Sequence, residues 1–305
     1  MGSKSKKIMA TVAAAVLLAA SLLFTLAPYI DARLPDWATV FDCLNLKTRE
    51  TRDRIIFADV GQGDGALLCS DGHAALLDCG TGADDAAGLL ATMRKADVAC
   101  VDVLLLSHPH ADHIGGAAAI LAQIPVKEIR LPDTLPQQDA DLAALERLRA
   151  AAAAQDVPIR PLKADDRITV GNFYAQVLYC NTSFKEENDR SAVIRVTRGA
   201  QRVLFTGDIT QQAEYALIGA GIDLSADVLK VAHHASNTSS CEKLLYLCNP
   251  SAAVISVGEN SYGHPTDAVL DRLAAQGAAI YRTDICGDIT LYFEKELSFS
   301  TELMP

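Results

Sequence analysis

The sequence predicts an α/β fold with one ligand-bearing loop placed just after a buried strand. Short apolar runs rich in branched residues alternate with longer runs of helical spacing along most of the chain. Gly-, Asn- and Asp-containing clusters separate those runs as turns. The densest cluster of chemistry-bearing residues, SHPHADHIGG (Ser107–Gly116), lies between an apolar run and a small-residue helix start. Open α/β sheets carry their ligands at that kind of strand end.

The elements follow in order. Residues 1–30 open with Lys4, Lys6 and Lys7 and continue as an apolar run from Ile8 to Ile30. That run is long enough to span a bilayer, and its basic start predicts a cytoplasmic N-terminus. An uncleaved anchor is favoured over a cleaved signal peptide, because Ile30–Ala32 makes a poor small-x-small cleavage site. The remainder is then expected outside the cytoplasm, tethered to the membrane, or secreted if the segment is removed. Residues 31–53 read as a linker, with Trp37 and Cys43 in it.

The domain itself is expected over 54–298, with a tail at 299–305. Arg54–Val60 alternates as a strand, and Gly61, Gly63 and Gly65 break it. These glycines are more simply a turn than a phosphate cradle. Ala66–Cys69 and Ala74–Asp78 form a hairpin around Ser-Asp-Gly. Asp84–Lys95 has helical spacing, Val101–Leu106 is a strand, and Gly115–Ile124 starts a helix. Val126–Leu131 is a strand and Asp139–Gln155 a helix. Ile168–Val170, Tyr174–Tyr179, Ala192–Thr197 and Arg202–Phe205 are strands, followed by strands at Asp227–Ala232 and Val254–Val257. Thr266–Gln276 is a helix with Thr266 as N-cap, and strands at Ala279–Thr283 and Asp288–Phe293 close the domain.

Half of the 305 residues are hydrophobic and the formal net charge is −11. That length supports one large domain or two small ones. The acid excess argues against a grip on nucleic acid spread over the whole surface, and leaves room for a local basic groove. No Cys-x-x-Cys occurs among the eight cysteines. Export would permit disulfides, with Cys241 and Cys248 a conceivable local pair.

The loop needs its residue types. Neutral imidazole is the commonest nitrogen ligand, and carboxylate adds charge without redox liability. His108 and His110, two apart, face one side in extended backbone. Asp112 and His113 lie past the turn and can face a second point. One segment can therefore serve two ions, as two-metal hydrolases require. Asp208 closes the run VLFTGD, where Gly-Asp alone reads as a turn; coming after the histidine loop, its two oxygens make it a candidate to bridge a pair of ions. His233 and His234 would point opposite ways in a strand. One can reach metal and the other substrate, with His233 ranked ahead. Lys230 either faces the same cleft or is solvated, and the solvated reading is preferred. His264 can be a general acid, a phosphate contact or a further ligand, or equally a structural histidine. His73 is expected at the surface.

H-x-H-x-D-H after an apolar strand resembles the signature of the metallo-β-lactamase superfamily. FADVGQGDGALL (Phe57–Leu68), LLDCG (Leu76–Gly80), VLFTGD (Val203–Asp208), LKVAHHAS (Leu229–Ser236) and YGHP (Tyr262–Pro265) follow in order. This set resembles the metallo-β-lactamase-like domain of the ComEC/Rec2 family, which is associated with DNA uptake. The resemblance covers Arg54–Phe293 and implies an αββα sandwich. It further implies a metal-dependent hydrolase holding two ions, zinc or manganese. His108 and His110 would hold the first ion; Asp112, His113 and His233 the second; Asp208 would bridge. The ions would activate a shared water as hydroxide for attack on phosphodiester bonds, with DNA the expected substrate. Asp64 and Asp78 become supporting residues near the cleft. Many superfamily members supply another His where this chain has Asn188 and Ser191, either of which would be a weak ligand or a substrate contact, so the first site is expected to be underfilled and to hold metal loosely or to prefer a harder ion such as manganese. The rival readings are hydrolysis of a different bond, such as a cell-wall phosphoester, β-lactam or thioester, and a non-catalytic DNA-binding module.

Overall fold

The computed structural model describes residues 18–23, 25–26 and 50–303. The chain divides into two compact units, 1–50 and 51–305. Most of the expected membrane or signal segment and most of the expected linker lie outside the described residues. Among the described residues, no helix is long and apolar enough to cross a membrane.

The second unit holds fifteen strands: β1 (Arg54–Phe57), β2 (Ala66–Ser70), β3 (His73–Leu77), β4 (Val103–Leu105), β5 (Ile129–Leu131), β6 (Ile159–Pro161), β7 (Arg167–Val170), β8 (Phe173–Tyr179), β9 (Val193–Arg198), β10 (Gln201–Phe205), β11 (Val228–Lys230), β12 (Ala252–Ile255), β13 (Ala279–Arg282), β14 (Ile289–Phe293) and β15 (Leu297–Thr301). They form two mixed sheets, ordered β15-β14-β1-β2-β3-β4-β5-β6 and β13-β12-β11-β10-β9-β8-β7.

Alternation along the strands explains the layering. Ile55 and Phe57 point into the core between the sheets, with Leu68, Leu105, Phe173, Val203 and Val254. Their neighbours Ile56 and Leu67 point the other way, onto the helices Ala83–Lys95, Ala117–Leu121 and Asp139–Ala154 through Leu89, Ile120 and Leu145. The second sheet covers its outer face with the helices Gln211–Gly219, Glu242–Cys248 and Asp267–Ala275. Strands buried on both faces read as continuous apolar runs. The result is the expected αββα sandwich, with Phe57 stacked on Phe205 at 5.7 Å across its middle. Removing one such fully buried ring costs about 3–5 kcal/mol.

Several expected boundaries move. β6 and β15 lack apolar alternation strong enough to be seen beforehand; both are half-exposed edge strands. β15 pairs with β14 through Thr301, so the strand runs past 298 into the expected tail. β11 ends at Lys230 instead of Ala232, because His233, His234 and Ala235 turn into the left-handed region at φ 51, 51 and 64°. Thr266 occupies the N-cap position, but its hydroxyl donates to the Ala235 carbonyl at 3.0 Å instead of capping the helix. Cys241 and Cys248 are both free and buried, correcting the conceivable pair. His73 is exposed, 2.9 Å from Asp102.

Candidate metal centre

Two glycines make the ligand loop possible. A Cβ on Gly115 would lie 1.7 Å from the Thr81 carbonyl oxygen, and one on Gly116 would lie 2.1 Å from that of Cys79. Only glycine lets the turn after the histidines press against the segment leaving β3. Gly63, at φ 152°, does the same for the first loop, where a Cβ would meet the Asp112 carbonyl at 2.5 Å. The Gly61–Gly65 turn therefore serves close packing: Asp64 N–H donates to Asp112 O, and Gly80 N–H donates to Asp64 O. From the far side, buried Asp141 accepts the Ala111 amide at 2.7 Å and fixes the start of the short helix Ala111–Ile114.

Around this loop the structure brings Asp112, His113, Asp208 and His234 together. One ligand atom from each lies within 4.8 Å of all the others. The Nε2 of His113 is 3.4 Å from Asp208 Oδ1 and 3.9 Å from Asp112 Oδ1. The Nε2 of His234 is 3.4 Å from Asp112 Oδ2 and 3.5 Å from Asp208 Oδ2.

The outer nitrogens explain the tautomers. His113 Nδ1–H donates to Asp78 Oδ2 at 2.9 Å, and His234 Nδ1–H donates to the Ser256 carbonyl at 2.8 Å. Each ring therefore turns a bare Nε2 inward. Asp78 is itself fixed by Ser107, whose N–H and Oγ–H both donate to it at 2.8 Å. With its proton committed, Ser107 Oγ accepts from His108 Nδ1–H at 3.0 Å. His108 Nε2 then faces His110 Nδ1 at 3.0 Å, a pair aimed into the same region.

The residues fit a divalent cation. His113 Nε2, His234 Nε2, His110 Nε2 and Asp208 Oδ1 are buried and make no hydrogen bond. Orphaned lone pairs from two imidazoles and a carboxylate converging on one point are costly unless a cation satisfies them. The electrostatics agree. Burial works against the charged forms, yet the imidazoles of His113 and His234 hold the Asp208 carboxyl well below its ordinary value. Burial would likewise lower His113, but Asp208, Asp78 and Asp112 raise it well above the usual imidazole range. His234 moves up for the same reason, with Asp208 the leading carboxylate. His108 moves well down, through burial and then the neighbouring His113 and His110. The buried carboxylates thus favour positive charge at this point, which a cation held by the two Nε2 atoms would supply.

The remaining expected residues distribute as follows. His234 occupies the place for which His233 was ranked ahead. The strand in which the two would alternate stops short, and His233 instead faces the open cleft, its Nε2 3.4 Å from Asn188 Nδ2. Lys230 is not solvated: it is 3% exposed, and its Nζ lies 2.7 Å from Asp64 Oδ2. Asp64 Oδ1 in turn lies 3.4 Å from His234 Nδ1. Ser191 is fully buried, and its Oγ accepts the Asp208 amide at 3.2 Å, which makes it a support for the carboxylate's backbone instead of a substrate contact. Asn188 lines the cleft with an unpaired Oδ1. His264 lines it too, with Nδ1 buried and unpartnered. Burial, then His233 and His234, push the His264 imidazole below its ordinary value. It is thus neutral at pH 7 and poorly suited to the general-acid role considered for it.

The cleft above the cluster measures about 570 Å³. Glu259, Asp141 and Gln62 line it among others, and no Lys or Arg does. The local basic groove that the sequence left open is therefore not here. Ser107, Ser256 and Asp141 were missed beforehand. Ser107 stood inside the motif itself, whereas Ser256 and Asp141 carried no signal.

The metallo-beta-lactamase superfamily profile matches residues 58–259. Among curated proteins, the chain is 33% identical over 231 residues to competence protein ComA of Neisseria gonorrhoeae, covering 75% of this chain and 30% of that protein. It is 30% identical over 199 residues to ComE operon protein 3 of Bacillus subtilis, covering 65% of this chain and 25% of the relative. It is also 30% identical over 241 residues to recombination protein 2 of Haemophilus influenzae, covering 77% and 28% respectively. The chain thus spans less than a third of the length of these relatives. Among solved structures, the metallo-beta-lactamase fold protein YhfI of Bacillus subtilis aligns with TM-score 0.55 at 15% identity, covering 79% of this chain and all of that one. CmlA, a diiron beta-hydroxylase from Streptomyces venezuelae, aligns with TM-score 0.52 at 14% identity, covering 80% and 55%. At those identities the two structures speak for the fold alone.

Proposed function

The chain belongs to the metallo-β-lactamase superfamily, and from that premise we propose that it is a metal-dependent phosphodiesterase acting on DNA outside the cytoplasm. The observation that carries the reading is the convergence of His113 Nε2, His234 Nε2 and Asp208 Oδ1, buried and unpaired, beneath an open cleft. The similarity to competence proteins supports DNA as the substrate class. The basic-flanked apolar run at Ile8–Ile30 supports a location at the membrane, with the domain outside.

Asp112, His113, Asp208 and His234 would hold one ion, and His108 and His110 would begin a second site beside it. Asn188, with a buried, unpaired Oδ1 on the cleft wall, would offer that second site a neutral oxygen. The two imidazoles and two carboxylates of the first site suit zinc or manganese, and a second site completed by oxygen ligands suits manganese. Such ions, when bound, lower the pKa of water and offset charge on attacking and leaving oxygens. The chain's own residues do the rest. Asp78 and Ser256 hold the two imidazoles in the tautomer that presents Nε2. Ser191 fixes the Asp208 backbone. His233, Asn188 and neutral His264 stand at the cleft wall, where they can donate to non-bridging phosphate oxygens. His264 can also accept a proton.

The test is turnover by the purified full chain, loaded with zinc or manganese, on bis(4-nitrophenyl) phosphate, plasmid DNA and nitrocefin. Cleavage of the phosphodiesters, abolished by Asp208→Ala, is expected. Hydrolysis of nitrocefin or a thioester without phosphodiester cleavage would overturn the reading.

A further inference from the structure

The cleft wall opposite the ligand loop is a short segment, 258–265, that is unusually well fixed for an exposed turn. Asn260 makes four bonds within it: Oδ1 accepts the amides of Tyr262 and His264 at 3.1 Å each, and Nδ2 donates to the carbonyls of Gly258 and His264 at 2.9 and 2.8 Å. Gly258 seats the segment against the first loop, where a Cβ would come within 2.4 Å of the Gly61 carbonyl carbon. The segment presents Tyr262, a residue 73% exposed. The Tyr262 ring lies 5.8 Å from that of His264, tilted by 31°, and His264 lies 5.5 Å from His233. A row of rings therefore leads from solvent down to the metal-ligand cluster. Nothing in the described structure covers the outermost ring, yet Asn260 holds its backbone in place.

The charge of the same cleft narrows what this row can meet. Glu259 and Asp141 line it, and no Lys or Arg does. A polyanion gripped through many phosphates needs cationic side chains along its path. Here they are missing, so affinity beyond the reacting phosphate must come from a neutral face. An aromatic ring stacks on any nucleobase, at about 1–3 kcal/mol per base. In a duplex the faces of bases are covered by their neighbours; in a single strand or a frayed end they are free.

We infer that Tyr262 is a stacking platform for an unpaired nucleobase next to the phosphodiester at the metal centre, which makes single-stranded DNA the substrate. This rests on the phosphodiesterase reading above and adds which DNA is taken and how. The phenol ring supplies the face, Asn260 holds its backbone, and His264 continues the ring row toward the scissile group.

The test compares a fluorescent single-stranded oligonucleotide with the same strand carrying abasic sites, and with its duplex, using the full chain loaded with manganese. Anisotropy reads binding, and gel analysis reads cleavage. The normal strand should bind more tightly than the abasic strand by about 5- to 150-fold, the range of one stacked base. Tyr262→Ala should bring that ratio close to one, and Tyr262→Phe should preserve it. Circular dichroism and metal content of the Ala variant confirm that the fold and site are intact. The inference is overturned if base-bearing and abasic strands bind alike, if Tyr262→Ala leaves the ratio unchanged, if the duplex binds as tightly as the single strand, or if no strand binds. Tyr262-dependent capture of a sugar-phosphate polymer instead of the oligonucleotide would overturn it as well. Cleavage of bis(4-nitrophenyl) phosphate separates the two readings. If it is cleaved while the oligonucleotide ratio is flat, the platform fails and the phosphodiesterase stands.

Discussion

Replacing Asp78 with Asn changes one atom and breaks the tautomer chain. Asp78 sits at φ 58°, a conformation that Asn also tolerates, so the backbone survives. Its carboxylate accepts three hydrogen bonds, from Ser107 N–H, Ser107 Oγ–H and His113 Nδ1–H, at 2.8, 2.8 and 2.9 Å. An amide cannot accept all three. If its oxygen stays on the Ser107 amide, its NH₂ faces His113, which must then carry its proton on Nε2, pointing at the metal position. If the amide flips, it restores the His113 tautomer but sets NH₂ against the Ser107 N–H, leaving a buried donor unpaired at about 1–3 kcal/mol. Either arrangement weakens the ligand. Changes in groups that orient a metal-bound imidazole typically cost 10- to 100-fold in metal affinity. Competition with a chromophoric zinc chelator should therefore show a Kd raised by about 10- to 100-fold, with unchanged far-ultraviolet circular dichroism. Zinc affinity within twofold of the parent would refute the role of Asp78 as the group that aims His113.

His234→Ala should lose most metal binding, whereas His233→Ala should keep metal content and lose turnover, as metal analysis beside a phosphodiester assay will show. Equal loss of metal in both would reverse the roles given to the two histidines. Gly115→Ala should prevent folding or lower Tm sharply, because its methyl would lie 1.7 Å from the Thr81 carbonyl; a Tm within a few degrees of the parent by calorimetry would contradict the packing argument. Metal affinity should rise with pH. His113 and His234 are raised above their ordinary imidazole values, and each must shed a proton to bind. The metal-free protein has the opposite trend from these two groups: a raised folded pKa adds stability that is full below about pH 6.5 and is lost as pH rises through the folded value. Thermal melts with and without zinc across pH 6–9 should therefore diverge as pH rises, and parallel curves would argue against ligation by these imidazoles.

Much of the site was legible because its residues are local. SHPHADHIGG holds four ligand candidates and the two glycines in one stretch, and the strand before it is an uninterrupted apolar run. Asp208, by itself only a turn residue after a strand, was legible through its order after the histidine loop. What failed depended on contacts distant in sequence. Lys230 reads as a surface residue until Asp64, in the loop between β1 and β2 of the other sheet, is brought to 2.7 Å. Choosing between His233 and His234 required knowing that β11 ends before them and that both take φ near 51°, which no glycine announces. Ser191, standing where many relatives carry a histidine, reads as a weak ligand or a substrate contact, whereas it is fully buried with its Oγ accepting the Asp208 amide. The fold's interior strands were visible for the reason the edges were not: β6 and β15 bury too little apolar surface to leave a pattern.

The most direct measurement is anomalous diffraction from crystals of the chain grown with zinc, recorded on both sides of the zinc edge. The account predicts a peak within ligand distance, about 2.0–2.2 Å, of His113 Nε2, His234 Nε2 and carboxylate oxygens of Asp112 and Asp208. A fully loaded crystal without a peak there, or with these side chains turned from one another, would contradict it.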